Sequence, residues 1–178
     1  MTPLATPIQM ALAAVVIVAG IWDIRSRRIP NFVAAAGLAA GFAGHAWLGG
    51  WEGLKTAALG FGLACLVYLP LYLVRAIGGG DVKLMAAVGS LAGPSNWLVI
   101  FVFTAVLGGA FALLLAIVKG RLRRTLWNVG YILGELARLR APHATRGELD
   151  VGHPEALRLP HGAVIAVSTL VILTIMGS

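Results

Sequence analysis

Cysteine is nearly missing from this chain. Cys65 stands alone inside an apolar run, which excludes an intrachain disulfide and any cysteine-based zinc framework. Charge is equally sparse, at 12% of 178 residues, with seven acidic residues against fourteen Lys and Arg. An ordinary soluble domain carries roughly twice that share of charge. With 59% apolar residues and a mean hydropathy of +0.89, the chain belongs in a bilayer. Alternating apolar and polar residues are lacking too: the apolar runs are continuous and rich in Ala and Leu, which excludes barrel strands and gives an all-α fold. The net charge of +7 does not call for nucleic acid, because the placement of the basic residues reports membrane topology instead.

Six hydrophobic segments can be read, approximately 6–22, 32–49, 54–74, 82–93, 97–118 and 160–177, so the expectation is a single polytopic membrane domain, 1–178, with about six transmembrane helices. The first run, Pro7 to Trp22, has no basic residue before it and no cleavage signature after it. It therefore reads as a retained span with its N-terminus outside rather than as a signal peptide. The fourth segment is short: about a dozen residues cover roughly 18 Å of a ~30 Å hydrocarbon core. If the six segments alternate, the inner loops hold Arg25, Arg27, Arg28, Arg75, Lys83, Lys119, Arg121, Arg123, Arg124, Arg138, Arg140, Arg146 and Arg158, and only Lys55 falls outside. The positive-inside rule favours this orientation, which puts Asp23 and Asp81 on the cytoplasmic face.

Small residues recur at helical spacing, as Gly37, Gly41 and Gly44 on the second segment and Gly60, Gly62 and Ala64 on the third, and close helix packing accounts for them. The long polar stretch 119–159 opens with basic residues and places Leu126, Val129, Leu133, Leu136 and Leu139 at helical spacing. This pattern predicts an amphipathic cytoplasmic surface helix before the last span, its apolar face in the headgroup boundary and Arg138 and Arg140 meeting anionic lipid. Pro142, Gly147, Gly152 and Pro154 break any regular element beyond it.

Chemistry has few residues to use. Of three aspartates, Asp150 lies in the polar stretch, whereas Asp23 and Asp81 sit at ends of apolar helices, where a carboxylate is costly and marks a functional candidate. Each has a plain structural alternative. Asp81, after Gly78-Gly79-Gly80, could simply be a helix N-cap, and Asp23 could pair with Arg27 four residues on. The glycines remove every Cβ beside Asp81, so a peptide backbone can approach, and they permit a turn with positive φ. As a pair, two carboxylates brought together cannot easily both ionise. The charged one can take a proton from water as it attacks a peptide carbonyl while the protonated one polarises that carbonyl.

Asp23 with the basic Arg25 to Asn31 stretch, followed by Gly78-Gly79-Gly80-Asp81-Val82-Lys83 and a late Leu-Pro-x-Gly at Leu159 to Gly162, resembles the type IV prepilin peptidases, GxGD intramembrane aspartic proteases. The resemblance implies Asp23 and Asp81 as catalytic residues and a pilin or pseudopilin precursor as substrate. Its basic leader would be removed at the cytoplasmic face of a bacterial inner membrane, in contact with membrane lipids and no nucleic acid. Gly78, Gly79, Gly80 and Lys83 are the candidate substrate-binding residues. Longer members carry a cytoplasmic domain with paired cysteines that bind zinc, and they methylate the new N-terminus. This chain lacks those cysteines and resembles the short, peptidase-only form found with Flp or tight-adherence pili, which leaves methyltransferase activity without support. His161 stands where related sequences often carry an aromatic.

His143, His153 and His161 lack metal-ligand spacing, so neither metal nor cofactor is expected. His45, beside Trp47, reads as an interfacial side chain. Two readings from other classes remain open: a small proton- or cation-coupled transporter using the same carboxylates as a relay, and a structural subunit whose aspartates only cap helices and pair with arginines.

Overall fold

The computed structural model describes residues 3–75, 77–120 and 160–177, together with isolated helical positions at 123, 127, 130 and 134. Four helical elements make up the described part: α1 (Thr6–Ser26), α2 (Asn31–Leu73), α3 (Gly79–Val118) and α4 (His161–Gly177). The expected surface helix over 119–159 falls almost wholly outside the described residues.

The expectation of about six transmembrane helices is corrected by these boundaries. Three elements, α1, α2 and α3, are long and apolar enough to cross a membrane, and α4 is a shorter apolar helix. The physical reason is that the boundaries expected near residues 50 and 94 contain no loop. Helical structure runs through each, interrupted only by Gly50 (φ 53, ψ −132) in α2 and Gly93 (φ 72, ψ 170) in α3. Both lie where an L side chain would be strained.

Each interruption turns the chain sharply. The Phe42 and Phe61 rings, 19 positions apart in sequence, meet edge to face at 6.0 Å across the Gly50 break. In α3 the Trp97 indole N–H donates to the Met85 carbonyl at 3.1 Å. A straight helix would separate residues 85 and 97 by about 18 Å. Pro94, which has no N–H to donate, follows Gly93 and suits the break.

Lipid is as apolar as leucine, so these helices associate through close packing rather than through burial from water. The small residues singled out in the sequence provide it. A Cβ on Gly60 would run into the Gly89 backbone carbonyl, one on Gly41 into Ser90, and one on Gly37 would sit 3.0 Å from the Ala87 Cβ. Gly62 is the exception, with open space beside it. The N-terminal part of α3 forms the centre of the molecule. Every residue from Leu84 to Gly93 is buried, which is how a short segment apolar on all sides is accommodated.

His45 has a partner on the neighbouring helix. Its Nε2 lies 3.0 Å from the Leu91 carbonyl oxygen, so Nε2 is the protonated nitrogen, and the side chain ties α2 to α3 beside the Gly93 break. Freed backbone carbonyls at a helix interruption need such a partner in a bilayer.

Candidate active site

α1 ends one turn after Asp23. Arg27 takes a left-handed conformation (φ 54, ψ 28) and returns its backbone N–H to the Asp23 carbonyl at 2.9 Å, closing the helix. Pro30 then leads into α2 in extended geometry, leaving Ile29 pointing back toward the bundle. The Asp23 side chain is buried at 7% exposure.

α3 opens differently from the simplest expectation. Gly78, not Asp81, is the N-cap, in extended conformation (φ −78, ψ 148). Asp81 is the third helical residue, and its carboxylate bonds back to the Gly78 backbone N–H, which is half of a capping box. The expected positive φ is not used: Gly78, Gly79 and Gly80 are absent from the positive-φ glycines Gly50, Gly93 and Gly120. What the glycines supply is space. A Cβ on Gly78 would stand 3.4 Å from Asp81 Oδ2, and one on Gly80 would stand 3.4 Å from Ile29 Cβ.

The first turn of α4 closes the site. Pro160 accepts from Ala163 and Val164, and the Ala163 N–H is shared with Asp23 Oδ2 at 3.3 Å, so the positive end of the helix faces that carboxylate. Gly162 makes this possible: a Cβ there would lie 3.1 Å from Asp23 Cβ and Cγ and 3.0 Å from Ile29 Cδ1. Ile29 thereby touches both the α3 and the α4 openings.

Asp81 lies within electrostatic reach of Asp23 and of His161, and Tyr68 of α2 lies within reach of Asp81. Tyr68 is 3% exposed and packs edge to face on Trp97 and Phe101, at 6.3 and 6.0 Å. Lys83, exposed, donates from Nζ to Asn31 Oδ1 at 2.9 Å and so joins the two motif segments. Asp23, Asp81, the three glycines and Lys83 are therefore brought to one end of the bundle. His161, Ala163 and Tyr68 were not singled out from sequence as members of this site. The Leu-Pro-x-Gly segment was the available signal for α4; Tyr68 gave none, being one aromatic in an apolar run. Among the described residues, no group of three His, Cys, Asp or Glu side chains could hold a metal ion.

Together these features define a helical membrane protein with a paired-carboxylate site at one end of its bundle. The chain belongs to the type IV leader peptidase family, whose profile matches residues 10–113, and it is therefore a peptidase. The matched stretch includes Asp23 and Gly78 to Lys83 and stops before α4. Neither a curated protein nor a solved structure matches the chain.

Proposed function

We propose that the protein is an aspartic endopeptidase that removes the basic leader from pilin or pseudopilin precursors, with Asp23 and Asp81 as its catalytic pair. The observation that carries this reading is the convergence of the two carboxylates, from α1 and α3, at one end of a leader-peptidase chain. One carboxylate takes a proton from water as the oxygen attacks the scissile carbonyl, while the other, protonated, donates to the carbonyl oxygen. Collapse of the tetrahedral intermediate breaks the C–N bond, and the carboxyl that took the proton from water passes it to the departing amine. Gly78 leaves room beside Asp81 for an extended peptide, Gly79 and Gly80 let Tyr72 and Ile29 pack against the same turn, and Lys83 stands exposed two residues on as a substrate contact.

The location we propose is the cytoplasmic membrane of a bacterium, with the site toward the cytoplasm. Arg25, Arg27 and Arg28 follow Asp23, Arg75 closes α2 and Lys83 follows Asp81, so basic residues gather at the site's end of the bundle. Lys55, near the Gly50 break, is paired with Glu52 at 2.7 Å.

Co-expression with candidate prepilins tests the proposal on a gel. Wild type and Asp150→Ala convert a precursor to its shorter form, and Asp23→Ala and Asp81→Ala leave it uncut. Full processing by either of the latter two overturns the assignment. Cleavage of no prepilin by wild type would count against pilin precursors as the substrate.

A further inference from the structure

The turn between α1 and α2 is pinned from several sides. Ser26 Oγ donates to the Trp22 carbonyl at 2.8 Å, the Arg27 N–H returns to the Asp23 carbonyl, and the Val33 N–H returns to Pro30 at 3.1 Å. On the outside, Trp22 near the end of α1 packs edge to face on Phe32 at the start of α2, with ring centroids 5.8 Å apart. Ile29 sits in this turn, two residues after the left-handed Arg27 and directly before Pro30, whose φ is fixed by its ring. Its place relative to Asp23 is therefore set by the backbone.

The half-buried Ile29 side chain has a neighbour at each end. At its root, a Cβ on Gly80 would stand 3.4 Å from Ile29 Cβ and 3.6 Å from Cγ1. At its tip, a Cβ on Gly162 would stand 3.0 Å from Cδ1. Gly80 is joined through the chain to Asp81, and the same Cβ on Gly162 would stand 3.1 Å from Asp23 Cβ and Cγ. One row of packed atoms thus runs from Asp81 through Gly80, Ile29 and Gly162 to Asp23. Isoleucine suits its middle: branching at Cβ stiffens the side chain, and Cδ1 supplies a reach that valine lacks.

We propose that Ile29 is a positioning residue for the carboxylate pair, a spacer wedged between the openings of α3 and α4 that sets the separation of Asp23 and Asp81. This inference rests on the peptidase reading above, in which both carboxylates must meet one water molecule and one carbonyl. Ile29 acts through the two aspartates and makes no bond to the reacting atoms, so trimming it lowers turnover and leaves substrate binding intact.

The test uses the full chain in detergent or proteoliposomes with a prepilin that wild type cleaves. Ile29→Val removes only Cδ1, the arm on Gly162, and lowers kcat by about three- to tenfold; Ile29→Ala removes Cγ1 as well and lowers it by about 10- to 100-fold, each with KM within about twofold, as expected for misplaced reacting groups. Ile24→Ala, which trims an isoleucine 63% exposed on α1, leaves kcat at the wild-type value. Wild-type kcat in Ile29→Ala, or a rise in KM at constant kcat, overturns the proposal. A second readout is independent of cleavage and of the peptidase reading. With the one native thiol removed by Cys65→Ala, Asp23→Cys and Asp81→Cys are combined and oxidised with copper phenanthroline. A disulfide needs its Cα atoms within about 7 Å, so the rate at which it forms reports how closely the two positions approach. Adding Ile29→Ala speeds the crosslink by about threefold or more, because nothing then keeps the two openings apart, and adding Ile24→Ala does not. A rate unchanged or slowed by Ile29→Ala in folded protein overturns the proposal even if no prepilin is cut.

Discussion

The backbone N–H of Ala163 donates to the Asp23 carboxylate at 3.3 Å, joining the end of α1 to the start of α4 across 140 residues of sequence. This bond exists because Gly162 lets the two helices meet without an intervening side chain. Gly162→Ala would put a methyl group 3.1 Å from Asp23 Cβ and Cγ, closer than ordinary contact, so Asp23 must move by a few tenths of an ångström. We expect prepilin cleavage to fall about tenfold while the protein stays folded, since small misplacements of a reacting group are costly. Gly44→Ala is the control. Its Cβ would meet Ile8 Cγ1 at 3.5 Å, an ordinary contact, and cleavage should be unchanged.

The helical class and the position of both aspartates are legible in the sequence because they follow from apolar runs and from where charge interrupts them. The helix count is not. Gly49-Gly50 and Gly93-Pro94 read as boundaries by residue type, yet each marks one non-helical residue inside a longer helical element. Local composition announces a break but cannot say whether hydrogen bonding resumes at once. The third side of the site is illegible for a different reason. His161 and Tyr68 come within electrostatic reach of Asp81 only once α4 and α2 are packed in the bundle, and no spacing along the chain encodes that approach.

Packing between α2 and α3 gives a sharp contrast between two nearby glycines. Gly60 faces the Gly89 backbone, where no rotamer change can make room, whereas Gly62 faces open space. Gly60→Ala should destabilise the protein by about 1–3 kcal/mol, as overpacking of a tight core does. Gly62→Ala should be neutral or slightly stabilising, because alanine is the better helix former. Thermal unfolding in one detergent checks both; equal effects would contradict the interface.

Trp97 is fully buried, stacks on Phe101 at 5.3 Å with ring planes 6° apart, and gives its indole N–H to Met85. Trp97→Phe keeps an aromatic ring but leaves the Met85 carbonyl without that donor and a smaller ring in the core. Interhelical hydrogen bonds within membrane proteins average about 0.6 kcal/mol, and lost packing adds to this. We expect a loss of about 1–3 kcal/mol, seen as a lower Tm, with cleavage at permissive temperature near wild type because Trp97 lies behind Tyr68 and not at the carboxylates.

Lys83 has two roles to separate, because the same Nζ that could meet a substrate is given to Asn31 Oδ1 at 2.9 Å. Both residues are exposed, so their bond contributes little to folding, and neither Lys83→Gln nor Asn31→Ala should move Tm appreciably. If Asn31 holds Lys83 in place for the substrate, each single variant raises KM by about three- to tenfold at nearly constant kcat, the signature of lost uniform binding. The double variant should then be no worse than Lys83→Gln alone, since Asn31 acts only through the lysine. Multiplying effects would instead mean that Asn31 and Lys83 meet the precursor separately, and unchanged KM in both would remove Lys83 from the substrate-binding residues.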